Sequence, residues 1–167
     1  MRKSTISVIK VVTTTLVVVA LVQFFEVPLF RKVHEWRFGT TIRSSGITSE
    51  LLTGYFLMPK VPGSDEITIG GYYNQEKPLP TGSLIFVGPA TTQSTLRKLY
   101  ENAVNQKSNA TFELVNAHVS CMTVNFATKL IRRCRNEERR VEIGFSGERA
   151  RWDYFEPQFN KLLDSIN

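Results

Sequence analysis

The chain has 167 residues, of which 42% are apolar and 22% are charged, and this composition excludes an intrinsically disordered protein. The length provides for one domain-sized core and excludes a multi-domain assembly. The 21 basic and 15 acidic side chains give a formal net charge of +6, which permits binding to phospholipid headgroups, nucleic acid or an acidic protein without selecting among them.

An apolar segment follows a short basic tail, residues 1–5, which carries Arg2 and Lys3. From Ile6 to Phe25 the only charged residue is Lys10. About twenty helical residues extend for roughly 30 Å, which matches the hydrocarbon thickness of a bilayer. We therefore predict a single transmembrane helix at residues 6–27 that acts as an uncleaved signal anchor.

Two alternatives to this anchor remain open. The basic N-terminus and the small residue Ala20 at the end of the apolar stretch also fit a cleavable secretory signal. Against cleavage, the apolar character continues from Leu21 to Phe30, so the cut would leave an apolar terminus on a soluble product. The second alternative is a helix buried in a protein core, but the rest of the chain has few segments apolar enough to surround it.

Residues 28–47 form the expected juxtamembrane segment. Pro28 should kink or end the first helix, and Leu29–Phe38 can resume as an amphipathic helix that Gly39 terminates. Basic residues flank the apolar run on both sides, so their number does not decide its orientation. The short basic tail is typical of a signal anchor whose C-terminal part is exported.

Residues 48–167 are expected to fold as an α+β domain with a mainly antiparallel sheet and at least two helices. The stretch from Met58 to Gly82 is divided by proline and glycine into loops and short strands. Thr91 and Thr92 can cap a helix that extends to about Asn105. The remaining segments that we predict are strands at Ser83–Val87, Phe112–Leu114, Cys121–Phe126, Lys129–Arg135 and Arg140–Phe145, and a final helix at Trp152–Ile166.

Cys121 and Cys134 are the only cysteines of the chain. Their spacing supports neither a CxxC redox motif nor a zinc site. We predict that they form a disulfide between neighbouring strands in an oxidising compartment. The alternative is a pair of unpaired buried thiols in a cytosolic domain.

The sequence contains no recognisable catalytic set, so we expect neither an enzyme nor a cofactor, a metal or a small-molecule substrate. The two histidines are His34, in the juxtamembrane segment, and His118, in a strand-like segment, where a structural hydrogen bond is the ordinary role. With a carboxylate nearby, His118 could make partner binding sensitive to mild acid. Gly144–Gly147 departs from the nucleophile-elbow spacing and is interpreted as a turn.

A basic cluster lies near the C-terminal end of the chain. Nucleic acid is not an expected ligand, because no stacking aromatic residues are interspersed with the arginines. A solvated hairpin face would explain the cluster, and a surface that binds an acidic partner or lipid headgroups is the functional interpretation. The candidate residues for this surface are Arg132, Arg133, Arg135, Arg139 and Arg140.

The organisation of the whole chain, a short basic tail, one apolar span and a domain with two cysteines, resembles that of the small membrane companions of ToxR-like transcription activators. These are ToxS-like proteins of the PsaF/MyfF type. The resemblance implies a bacterial inner-membrane protein with one span and a periplasmic C-terminal domain. That domain would bind and stabilise or modulate a single-pass DNA-binding partner that controls expression of a fimbrial adhesin.

Two other classes share parts of this layout. Phage T-type holins combine one span with a disulfide-containing periplasmic domain and form membrane lesions, but they usually have a longer cytoplasmic tail. A pilin-like subunit or an envelope assembly factor is the third class. Glu26 follows the apolar run, whereas pilin-like N-termini place their glutamate near its beginning.

Overall fold

The computed structural model describes residues 15, 32–72, 80–90, 94–106 and 109–167. The basic tail and the predicted membrane span, residues 6–27, lie outside this part of the chain except for Thr15, which is helical. Within the described ranges, no helix combines the length and the apolar character that a bilayer span requires.

In the described chain, a short helix is followed by five strands, a second helix, four strands and a final helix. The helices are α1 (residues 32–38), α2 (Leu96–Asn105) and α3 (Trp152–Ile166), the last preceded by one 3-10 turn at Arg149–Arg151. The strands are β1 (Thr41–Ser44), β2 (Ile47–Glu50), β3 (Tyr55–Leu57), β4 (Ile67–Tyr72), β5 (Pro80–Pro89), β6 (Asn109–Leu114), β7 (Val119–Asn125), β8 (Lys129–Asn136) and β9 (Val141–Glu148).

Seven of these strands form one antiparallel sheet in the order β3-β4-β5-β9-β8-β7-β6. Strands β6 to β9 follow one another as hairpins, and β9 then pairs with β5. The predicted α+β class with a mainly antiparallel sheet and at least two helices is therefore confirmed. Among the described strands, β3 and β6 lie at the two edges of this sheet.

The main core lies between one face of this sheet and α3. The apolar residues of α3 recur at intervals of three and four, so one stripe of the helix faces the sheet. Burial of each such side chain stabilises the fold by about 2 kcal/mol. The fully buried members of this stripe are Phe155, Phe159, Leu162 and Ile166.

Strands β1 and β2 form a separate hairpin that closes one side of this core. Ser45 and Gly46 both have positive φ, which gives the turn the twist that a tight hairpin needs. Ile42 and Ile47 are buried among the core residues. The packed domain thus includes a hairpin that lies across the expected boundary between residues 47 and 48.

Two local expectations were wrong. The N-cap of α2 is Thr95, whose Oγ1 accepts the Lys98 N–H, whereas Thr91 and Thr92 lie outside the described residues. The Gly144–Gly147 segment is part of β9 rather than a turn. Its glycines leave room for partners on β5, because a Cβ at either position would collide with Phe86 or Ser83.

The two cysteines are joined as a disulfide. Cys121 of β7 lies directly opposite Cys134 of β8, with the Cα atoms 4.1 Å apart. In the same hairpin the Phe126 N–H donates to Lys129 O, and hydrogen-bonded and non-hydrogen-bonded pairs alternate from there along the two strands. The cysteines therefore form a non-hydrogen-bonded pair, in which opposing side chains approach most closely. Both sulfurs belong to the core under α3, and the predicted cross-strand disulfide is confirmed.

Replacing Cys121 and Cys134 together with alanine should lower the free energy of unfolding by about 3 kcal/mol, because the unfolded chain loses a cross-link between residues 13 positions apart. Urea titration with and without dithiothreitol measures this difference. The reductant should lower the midpoint of the wild-type protein and leave that of the double variant unchanged. A wild-type midpoint that does not respond to the reductant would contradict the prediction.

Candidate functional site

The five candidate arginines lie in three different environments. Successive residues of β8 point to opposite faces of the sheet, so Arg132 lies on the face covered by α3, whereas Arg133 and Arg135 lie on the other face. Arg139 and Arg140 follow in the turn between β8 and β9. The structure therefore does not bring the five side chains together on one basic surface.

Arg132 is held between the β6 edge and α3. Its Nη2 forms an ion pair with Glu113 of β6, and its Nη1 donates to Thr123 Oγ1 at 3.2 Å. Its guanidinium lies over the rings of Trp152 and Phe159 at 5.8 and 6.0 Å from their centroids. The positive charge of Arg132 is therefore paired with groups of the domain itself.

Glu142 accepts hydrogen bonds from two arginines on the opposite face. Its Oε2 receives Arg135 Nε at 2.9 Å and Nη2 at 2.5 Å, and its Oε1 receives Arg133 Nε at 2.5 Å. Arg135 and Glu142 are register partners across β8 and β9, and both are almost fully buried, with 1% and 3% exposed. The Arg133 guanidinium also lies over the Phe86 ring. The single charge of Glu142 thus offsets one of the two positive charges in this cluster.

The same cluster attaches α2 to the sheet. Arg135 Nη1 donates to Ser94 O at 2.6 Å, immediately before the helix. The Leu96 N–H, at the first turn of α2, donates to Glu137 Oε1 at 2.7 Å. Because Glu137 lies in the β8–β9 turn, α2 and that turn are positioned together.

Replacing Glu142 with glutamine should destabilise the domain by about 3 to 5 kcal/mol, because the amide removes the buried carboxylate that pairs with both Arg133 and Arg135. Chemical denaturation measures the loss. Glu101→Gln is the control: it breaks an exposed pair with Arg97 and should change stability by less than about 0.5 kcal/mol. Equal losses in the free energy of unfolding would contradict a larger contribution from the buried cluster than from an exposed ion pair.

His118 lies in the loop between β6 and β7, directly before β7 begins. The loop is shaped by Asn116, whose Oδ1 accepts the N–H groups of His118 and Val119, each at 2.8 Å. His118 Nδ1 lies 3.0 Å from Glu138 Oε2, and both side chains are exposed. A carboxylate thus stands beside the histidine that we singled out as a candidate pH-sensitive residue.

This pair lines a cleft of about 260 Å³. It lies where the β6–β7 loop meets the β8–β9 turn, so its position depends on the arginine–glutamate cluster that holds that turn. Its lining combines apolar, amide and acidic groups. The lining residues are Leu114, Asn116, Ala117, His118, Val119, Ser120, Glu137 and Glu138.

Strand β6, which leads into this cleft, is an edge of the sheet. The Val115 N–H donates to Val119 O, so the odd-numbered residues of β6 bond to β7. The backbone groups of Ala110, Phe112 and Leu114 therefore face away from β7, and no other described strand pairs with them. Leu114 is 72% exposed. Together, the outer side of β6 and the cleft form a surface that we call the β6 edge site.

The other edge of the sheet holds α1. The His34 ring lies 4.5 Å from the Phe38 ring and 5.1 Å from the Phe56 ring of β3, measured between centroids. Burial, and secondarily the positive charge of Arg37, lowers the pKa of His34 below its ordinary value of 6.5. The packing therefore favours the neutral imidazole.

The contact of α1 should weaken as the pH falls below 6.5, because the unfolded chain then binds a proton at His34 more readily than the folded chain does. The contribution is complete above that pH and is lost as the pH falls through the lower pKa of the folded state. Denaturation midpoints of wild type and His34→Phe across this range measure the effect. The variant should show the smaller pH dependence, and an equal pH dependence of the two proteins would contradict the prediction.

The β6 edge site combines an exposed strand edge with a cleft. In the ranges that the structure describes, no three His, Cys, Asp or Glu side chains are grouped so that they could hold a metal ion. No family model, curated protein or solved structure matches the chain. Sequence reasoning identified His118 but missed its neighbour Glu138 and the exposed edge of β6. The predicted ends of the two strands, Arg135 and Arg140, place Arg133 opposite Glu142, whereas the structure pairs Glu142 with Arg135.

Proposed function

We propose that this chain is a non-enzymatic, single-pass inner-membrane protein of a bacterium. Its periplasmic domain binds and stabilises or modulates a membrane partner, a ToxR-like transcription activator that controls fimbrial adhesin expression. The observation that carries the proposal is the β6 edge site, where backbone groups that no described strand pairs, an exposed leucine and a histidine–carboxylate pair adjoin.

The disulfide and the apolar run support the location. A disulfide in the core between adjacent strands is typical of a protein that folds in an oxidising compartment. The run from Ile6 to Phe25 has the length of one bilayer span. Both features fit a domain that is exported and remains tethered to the membrane.

The β6 edge site supports binding of an extended segment of the partner. Exposed edges are commonly protected by lysine or proline, and Asn109–Leu114 contains neither. A partner strand can add to the backbone groups of β6, and apolar side chains of that strand can pack beside Leu114. Such pairing would hold the partner's periplasmic part in a defined register.

His118, with Glu138 Oε2 3.0 Å from its Nδ1, is the candidate pH-sensitive residue of this surface. Glu137 lines the same cleft, so two carboxylates face the region of the imidazole. Histidine is the side chain whose charge ordinarily changes between about pH 5 and pH 8.

A photo-crosslinking residue at position 114 should yield one covalent adduct with a single-pass membrane protein in living cells, because Leu114 borders the surface that carries the proposal. The matched control is the same residue at Val61, an exposed position in the β3–β4 loop, which should give no such adduct. Leu114→Asp should reduce co-purification of that partner from detergent-solubilised membranes, whereas Val61→Asp should not.

Deletion of the gene should lower transcription of neighbouring fimbrial genes if the partner is their activator. The absence of both a specific adduct and a transcriptional change would contradict the proposal. Abrupt permeabilisation of the inner membrane on induced expression would instead indicate a holin. Co-purification at about pH 5.5 and pH 7.5 tests the histidine, and an unaltered pH response in His118→Ala would remove its role.

A further inference from the structure

Helix α1 has two sides with different surroundings. At about 100° per residue, His34, Glu35 and Phe38 fall on one side, which is half-buried against the domain. The opposite side is exposed and carries two apolar and two cationic residues. These are Lys32, Val33, Trp36 and Arg37.

The apolar residues of the outer side are unusually exposed for their size. Trp36 is 88% exposed and Val33, one turn earlier, is 52% exposed. Tryptophan has an apolar body and one N–H donor, and it is enriched where a membrane meets water. Lysine and arginine beside it are the residues that attract anionic headgroups. The outer side of α1 therefore has the composition of an interfacial membrane helix.

The number of residues between the apolar run and α1 limits the distance between them. The apolar run ends at Phe25 and α1 is described from Lys32. Seven residue steps extend for at most about 25 Å, so α1 cannot be farther than that from the end of the run. If the run spans the bilayer, the outer side of α1 lies within reach of the membrane surface.

We infer that the outer side of α1, residues Lys32, Val33, Trp36 and Arg37, binds the headgroup layer of an anionic lipid bilayer. This inference rests on the proposed membrane tether. The inner side of α1 meanwhile packs against Phe56 of β3. The helix thus holds the β3 edge of the domain close to the membrane and leaves the β6 edge directed elsewhere.

The test uses the full chain in lipid nanodiscs, with Trp36 as the only fluorescent tryptophan after Trp152→Phe. The discs contain phosphatidylcholine alone or a mixture with phosphatidylglycerol, together with a lipid that is spin-labelled near its headgroup. Trp36 emission should shift to the blue and be quenched severalfold more strongly in the anionic discs. Lys32→Gln with Arg37→Gln should return the quenching to the level in phosphatidylcholine, and Lys98→Gln on α2 should not.

The matched control moves the reporter to the other edge of the sheet. Leu114→Trp, in a chain that also carries Trp36→Phe and Trp152→Phe, places a tryptophan at an exposed position of β6. Six strand spacings, roughly 29 Å, separate β6 from β3, so this reporter should be quenched little. Stronger quenching of Trp36 than of this control supports the inference.

Two outcomes overturn the inference, and they are distinguishable. If the chain enters the discs but both reporters respond equally, or the two lipid compositions give equal quenching, α1 does not bind anionic headgroups while the tether remains. If the chain does not enter the discs at all, the proposed membrane tether fails, and the lipid contact of α1 fails with it.

Discussion

The ion cluster of Glu142 with Arg133 and Arg135 is the constraint on which the β6 edge site depends. Placing these charges in the domain has a large desolvation cost, which is offset only because each oxygen of Glu142 accepts a guanidinium donor. The cluster fixes β8 against β9 and, through Arg135, the start of α2. The β8–β9 turn, which places Glu138 beside His118, is therefore positioned by the two strands and by α2. The shape of the cleft thus depends on the buried ion cluster.

The opposite face of the sheet is stabilised differently. There the disulfide and the apolar stripe of α3 enclose a core without buried ion pairs among its cluster residues. The Tyr55 hydroxyl donates to Tyr154 O at the border of this core. Burial raises the pKa of Tyr55 well above its ordinary value. The tyrosine therefore stays protonated and keeps its role as a donor. The buried ion cluster and the apolar core under α3 thus lie on opposite faces of the sheet.

Sequence periodicity predicted α3 with its observed bounds and the cross-strand pairing of Cys121 with Cys134. Those features depend on local pattern, which a single sequence displays. The partners of the arginines depend on register, because a shift of one residue would exchange the faces of β8 and leave Arg135 without Glu142. A count of charges therefore overestimated the basic surface. The edge position of β6 follows from strand order, which no local pattern encodes.

The separation of the two edges has a functional consequence. Helix α1 packs at β3, whereas the β6 edge site lies at the far side of the same sheet. Strands joined by backbone hydrogen bonds move together, so under the proposed membrane tether a contact that orients β3 relative to the membrane would also orient β6. A membrane partner would then meet the β6 edge site at a restricted height and angle. Under the proposed membrane tether, that restriction would lower the entropy cost of association, since both proteins would be confined to one surface before they touch.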